Sequence, residues 1–302
     1  MRNDLRASVL QELQNRYGQL RKLPGSQSLH EVGDGALRIY LRYSRVHDGN
    51  CTFYGLRDED LRQLEGYPSV ICFLWDHQVS PLFLPFSEFE EVLHSTEPAR
   101  DGQYKVQVQF QRAGTELYIA RGGRHNVDGY TGWSIVEGLL DSGKMATTPL
   151  LTHAQVQGLL GAIGTRKQFD IWVPLADRSK VHGGQEFTCR EELPAGLGNA
   201  ATTLQDVDVV WIERGSGRLR ALFEVEHSTP IYSGLLRFND VHLIVPQLKP
   251  TYSIVANDER RSLFVRQLSR PTFRSSGLSE LCTFMRYENV FAWHERVTKE
   301  RS

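Results

Sequence analysis

The chain has 302 residues, 40% of them hydrophobic and 24% charged, with a formal net charge of −1. That length accommodates two ordinary domains with real cores, and near-neutrality argues against a protein that coats nucleic acid through bulk charge; only local basic surfaces are left for such a partner. With no apolar run long enough to span a bilayer and a polar start, Met1-Arg-Asn-Asp-Leu-Arg6, a soluble cytoplasmic protein with no membrane partner is expected; four scattered cysteines (Cys51, Cys72, Cys189, Cys282) without a C-x-x-C pair point to reduced structural thiols.

In chain order, Leu5, Val9, Leu10, Leu13, Tyr17 and Leu20 recur at helical spacing and predict a helix over 4–23 that stops at Pro24-Gly25. Strands are expected over 37–43, 51–54 and 69–75, a short helix over 58–64, and an extended stretch over 81–85. Ser87 then caps a helix reaching Leu93, and 104–110 with 116–120 form a last pair of strands. Residues 1–140 read as a smaller α+β domain, assigned to DNA recognition. Its closing segment from Arg121 to Trp133 is glycine-rich, basic and aromatic. Arg121, Arg124 and Asn126 are side chains able to contact phosphate or read base edges, and Tyr130 and Trp133 are able to stack; the same residues also suit an ordinary domain-closing loop.

From residue 150 to 302 a second domain is expected, of α/β class with a mixed sheet flanked by helices. A helix over 152–163 breaks at Gly164, a strand follows over 169–173, and a long loop carries Asp177, Lys180, His182 and Gly183-Gly184. Two acid-bearing strands come next, then a helix over 230–243, a strand over 251–255 and a helix over 258–268 before Pro271. The crossover helix makes its two strands a parallel pair. Five arginines between Arg260 and Arg274, with no acid among them, form a second basic cluster that a solvated face would equally explain.

The two acid-bearing strands are the most informative part of the chain. Asp206-Val-Asp208-Val-Val-Trp-Ile212 and Phe223-Glu224-Val225-Glu226-His227 flank the turn residues Arg214-Gly-Ser-Gly217, so they form a β-hairpin that brings Asp208 near Glu224. Strand alternation puts Glu224 and Glu226 on one face, so three acids can converge where buried strands ordinarily carry none. Crowded carboxylates repel unless a positive group sits among them, and hard oxygen ligands suit Mg²⁺, or Mn²⁺ in its place. The plainer alternative pairs these acids with Arg214, Arg218 and Arg220.

This element order, with one acid on the second strand and an acidic pair on the third, resembles the PD-(D/E)xK nuclease superfamily, the restriction-endonuclease-like fold, over roughly residues 150–270. The resemblance implies Asp208 and Glu224 as metal ligands and places Glu226 at the signature lysine position, an E-x-E variant in which Asp208, Glu224 and Glu226 are the catalytic set. Members of the superfamily often carry a further acid on the first helix; here only Gln155 or Gln157 could reach inward. Lys180 or Arg237 could bind the scissile phosphate, with Ser228 and Tyr232 nearby; equally, Tyr232 fits the apolar face of the following helix and Arg237 could simply pair with Glu224. His227 points to the opposite face.

These readings lead to a Mg²⁺-dependent, restriction-type endonuclease acting on double-stranded DNA, with a homodimer needed to cut two strands and a cognate methyltransferase as a possible partner. The alternative is a nuclease-like DNA-binding module that is catalytically inactive, since the signature lysine and the helix acid are both missing. A glycan hydrolase using Glu224 and Glu226 ranks last, because adjacent same-face acids are not an opposed pair across a sugar.

Overall fold

The structure is a computed structural model that describes residues 2–33, 35–145, 149–181, 187–227 and 230–299. His182, Gly183, Gly184 and Ser228 lie outside the described residues. The chain divides into two compact units, Met1–Ala146 and Thr147–Ser302.

The first unit opens with α1 (Arg2–Tyr17), which ends six residues earlier than its apolar stripe predicts. Gly18 takes φ +87°, a left-handed conformation that terminates a helix, and the chain turns back so that β1 (Leu20–Lys22) pairs with β2 (Leu29–Val32). There follow β3 (Leu37–Ser44), β4 (Cys51–Arg57), α2 (Asp58–Arg62), β5 (Ser69–Trp75), β6 (Leu82–Pro85) and α3 (Phe86–His94). Ser87 sits inside α3 rather than at its cap; Pro85 holds the N-cap position and supplies no side-chain bond. Then come β7 (Gln103–Gln111), β8 (Gly114–Ile119), β9 (Gly123–Asn126) and α4 (Ser134–Met145). The expected last pair of strands is therefore a triplet, because four residues of the glycine-rich segment extend as β9 against β8.

These strands make a five-stranded sheet, β1-β2-β3-β5-β6, and a four-stranded antiparallel sheet, β4-β7-β8-β9. One core lies between the sheets, where Tyr40, Ile71 and Phe73 meet Tyr54, Val106, Val108 and Leu117. A second lies under the helices, where Val9 and Leu13 of α1 and Val136 of α4 cover Ile39, Leu41, Val70 and Cys72.

The second unit holds α5 (His153–Arg166), β10 (Phe169–Trp172), α6 (Arg178–Val181), α7 (Ala200–Leu204), β11 (Val209–Glu213), β12 (Leu219–Glu226), α8 (Ile231–Ile244), β13 (Thr251–Ala256), α9 (Arg261–Leu268), α10 (Pro271–Ser276), β14 (Cys282–Arg286) and α11 (Tyr287–Lys299). The sheet order is β10-β11-β12-β13-β14, antiparallel across the first three strands and parallel across the last three. This is the mixed sheet flanked by helices that the element order predicts, extended by α10, β14 and α11 beyond Pro271.

Thr152 starts α5 with a capping box, its hydroxyl accepting from the Gln155 amide while the Gln155 side chain accepts from the Thr152 amide. Gly164 does not break this helix. It lets the helix lie against the sheet: a Cβ there would sit 2.5 Å from Ile171 Cδ1 and from Trp211 Nε1. Trp211 donates to the Leu160 carbonyl at 3.0 Å and packs against Phe169, Phe223 and Trp293 with ring centroids 4.8–5.6 Å apart. Each such aromatic pair contributes about 0.5–1.5 kcal/mol beyond burial, so Trp293 anchors α11 onto this face. The other face, carrying Val210, Ile212 and Leu222, is covered by Leu235 and Phe238 of α8, with Leu204 of α7, Phe264 of α9 and Phe273 of α10 completing the core.

Candidate active site

Alternation along β12 turns Leu222, Glu224 and Glu226 to the α8 face, while Phe223 turns to Trp211. Asp208 lies one residue before β11, and since Val209 pairs with Phe223, it falls opposite Glu224 at the end of the hairpin. Its Oδ2 accepts from the Val225 amide at 2.7 Å, the residue between the two glutamates. Asp206 is exposed. Glu224 and Glu226 are 0% and 2% exposed, in a strand buried along its whole length.

The acids can be buried because of α8. Gly234 lets that helix close onto them: a Cβ there would meet Glu226 Oε1 at 2.9 Å and Glu224 Cβ and Cγ at 3.1 Å. One turn on, Arg237 donates from Nε and Nη2 to the two oxygens of Glu224, both at 2.6 Å. This is a bidentate, charge-assisted pair. Burial nevertheless pushes the Glu224 carboxyl up, to about 8, with Asp208 and Glu226 adding to the rise against the pull of Arg237. The guanidinium of Arg237 is driven up in turn by its bonds to Glu224.

The arginines that the sequence offers as alternative partners are engaged elsewhere. Arg214 pairs with Asp170 at 3.4 Å, Arg218 with Glu213 at 3.7 Å, and Arg220 is buried over the Phe169 ring. Lys180 is exposed and pairs with Asp177 at 3.1 Å. Tyr232 packs its ring on Phe273, and His227 is stacked parallel to Tyr287. Of the two glutamines on the first helix, Gln155 is committed to the capping box and Gln157 is the one that reaches the site. Its Nε2 donates to the Asp208 carbonyl at 3.3 Å and lies 3.5 Å from Oδ1. His153, which the sequence reading leaves out, is one helical turn before Gln157 and places Nε2 3.3 Å from Asp208 Oδ2. That bond raises its pKa against the opposing effect of burial. The i, i+4 spacing of His153 from Gln157, which the sequence already marks as able to reach inward, is the signal that could have found it.

Three carboxylates are thus gathered at one end of the sheet, with Arg237 and the His153 imidazole beside them. The carboxylates form an all-oxygen donor set, which suits a hard divalent cation. Their ligand oxygens are not drawn to one point: among the described residues, the grouping of three or more such side chains with ligand atoms all within 4.8 Å of one another is Glu65, Glu90 and His94, in the first unit. Glu224 is held by Arg237 instead, and a shared ion requires that clamp to open.

In the first unit, the three recognition candidates sit around β9 and are tied to neighbours. Arg121, at φ +66°, pairs with Glu97 at 3.3 Å; Arg124 bonds Gln109 and, at 3.1 Å, Glu116; Asn126 donates to Asp128 at 3.1 Å. Trp133 is not free to stack on a base, since it packs against Phe83 and Tyr17 in the core, and Tyr130 bonds Glu88 and packs on Phe89. The second basic cluster is largely structural: Arg260 caps the His227 carbonyl at 2.7 Å, Arg261 pairs with Asp258, and Arg270 lies over Tyr232.

Comparison with known proteins matches residues 138–301 to the family model described as the C-terminal domain of the type II restriction enzyme NmeDI. The type II restriction enzyme NmeDI of Neisseria meningitidis serogroup C is 29% identical over 133 residues, covering 41% of this chain and 38% of that protein. The match therefore spans about two-fifths of the relative's length. No solved structure matches the chain.

Proposed function

The chain belongs to the family of the NmeDI restriction-enzyme C-terminal domain, and from that premise we propose that it is a restriction-type endonuclease hydrolysing phosphodiester bonds in double-stranded DNA. The observation that carries the reading is the end of the β11–β12 hairpin, where Asp208, Glu224 and Glu226 lie near one another inside the matched segment. A PD-(D/E)xK-like arrangement accounts for these acids, with Glu226 where the signature lysine would stand.

Asp208 and Glu224 would hold Mg²⁺, or Mn²⁺ in its place, which as a Lewis acid would supply charge stabilisation on the phosphate oxygens and acidify a bound water. Glu226 takes the proton of the attacking water as the new P–O bond forms. The bond from phosphorus to the leaving oxygen then breaks, and that oxygen is protonated from bulk water. Arg237, freed from Glu224, has the fork geometry to bind the scissile phosphate, and Lys180 is a second cation for it. Arg121, Arg124 and Asn126 are the proposed DNA contacts of the first unit. Cutting both strands with one site per chain calls for a homodimer, and a cognate methyltransferase would protect the host sequence.

The Arg237 clamp and the missing lysine favour one rival reading, an inactive nuclease-like DNA-binding module. Incubating wild type and Glu224→Ala with methylated and unmethylated plasmid, in Mg²⁺, Mn²⁺ or EDTA, separates the two. Discrete metal-dependent fragments that the variant fails to produce support the nuclease; intact but gel-shifted DNA under every condition supports the binding module.

A further inference from the structure

The ligand atoms of Glu65, Glu90 and His94, in the first unit, all lie within 4.8 Å of one another. Glu90 and His94 are four residues apart in α3 and so share one face of that helix. Phe86, Phe89 and Leu93 of the same helix are buried in the core between the sheets, which holds the helix in place. Glu65 follows α2 in a turn closed by backbone bonds, from Leu64 to the Leu61 carbonyl at 2.9 Å and from Tyr67 to the Leu64 carbonyl at 3.2 Å. All three side chains are therefore carried on fixed backbone. Glu65 and Glu90 are only 5% and 7% exposed. Two carboxylates so close and so far out of water repel, and both stay ionised only with a positive charge among them. A protonated His94 is the simplest such charge, but a charge-assisted N–H···O bond closes to about 2.7–2.9 Å. His94 Nε2 stands 3.3 Å from Glu65 Oε1. In a tetrahedral site with metal bonds of about 2.0–2.1 Å, two ligand atoms lie roughly 3.3–3.4 Å apart. The separation is that of two ligands on one ion.

We infer that Glu65, Glu90 and His94 bind a Zn²⁺ ion in the first unit. An imidazole nitrogen with two carboxylate oxygens is a ligand set that Zn²⁺ accepts, whereas the all-oxygen set of the β11–β12 hairpin suits a harder ion. The His94 side chain is 28% exposed, so the site has a side open to solvent from which the ion enters and a water fills the fourth position. The ion ties α3 to the turn after α2, and because the unfolded chain does not hold the three ligands together, binding stabilises the fold. This site is independent of the nuclease reading above.

Titration of the full chain with Co²⁺ tests this, because a tetrahedral Co²⁺ site absorbs visible light far more strongly than an octahedral one. One equivalent should give the tetrahedral band, Zn²⁺ should displace it, and Zn²⁺ alone should raise the melting temperature. The band should survive Glu224→Ala, in the second unit. His94→Ala, which removes a part-exposed ring, and Glu90→Gln, which keeps the shape of the side chain, should each lose both the band and the shift in melting temperature while melting in EDTA close to wild type. Wild-type protein without the band overturns the site, as does a band kept in both His94→Ala and Glu90→Gln. Loss of the band in both variants only together with a much lower melting temperature in EDTA also overturns it, since the three residues would then be a structural ion pair. Failure to cleave DNA bears on the nuclease reading alone and leaves this site standing.

Discussion

Glu224→Gln should stabilise the second unit at neutral and alkaline pH while abolishing cleavage. In the folded chain Glu224 is fully buried and its carboxyl is pushed from an ordinary 4.5 up to about 8. A carboxyl raised in this way binds its proton more tightly folded than unfolded, so stability is fully present below pH 4.5 and is lost as pH climbs through about 8. Over that window the loss is about 1.4 kcal/mol per pH unit, which sets a ceiling of about 5 kcal/mol. Relaxation of the site and the surviving Arg237 contact bring the expected gain for the glutamine to roughly 2–4 kcal/mol at pH 8, falling towards zero near pH 5. Glutamine keeps an oxygen for Arg237, and that arginine is partly exposed, so its charge is not stranded by the substitution. Hydrogen exchange of the β12 amides reports on the second unit alone and is the assay of choice, run on both proteins from pH 5 to 8.5. A constant gap across that range, or a variant less stable than wild type at pH 8, would refute the reasoning by showing that Arg237 keeps Glu224 ionised throughout.

Gly164→Ala should cost roughly 1–3 kcal/mol, because the added methyl meets the buried, rigid indole of Trp211 as well as Ile171; thermal unfolding followed by tryptophan fluorescence checks it, and an unchanged midpoint would mean that α5 is free to lift. Arg124→Ala breaks an exposed pair with Glu116, a bond to Gln109 and a 5.6 Å contact over the Tyr118 ring, all at the surface, so stability should move by less than about 0.5–1 kcal/mol. If Arg124 contacts DNA as proposed, affinity should fall several-fold and the salt dependence of binding should flatten; unaltered titrations at two salt concentrations would remove it from the interface.

What local pattern can determine is already present in the sequence. Alternation of apolar residues with acids, around a turn of Arg-Gly-Ser-Gly, dictates the β11–β12 hairpin and the shared face of Glu224 and Glu226, because strand period and turn chemistry are properties of neighbours in the chain. The parallel pair β12–β13 follows from the crossover helix for the same reason. Packing between distant segments decided the rest. Gly164 carries a helix-breaking propensity that the close approach of α5 to Trp211 overrides. In α1 the apolar stripe continues past the left-handed Gly18, which ends the helix early. Nothing local to β12 says that its acids will be fully buried or that His153 will close on Asp208 from α5, and the fold alone decides that Arg237 pairs with Glu224 and that Gln157, not Gln155, reaches the site, each one of two alternatives open in the sequence. The five residues of β14 carry too short a pattern to announce a strand, and with them α11 stays hidden. Which side chains from separate elements come within reach of one ion is a property of the packed interior alone, so the grouping of Glu65 with Glu90 and His94 becomes visible only after the chain has folded.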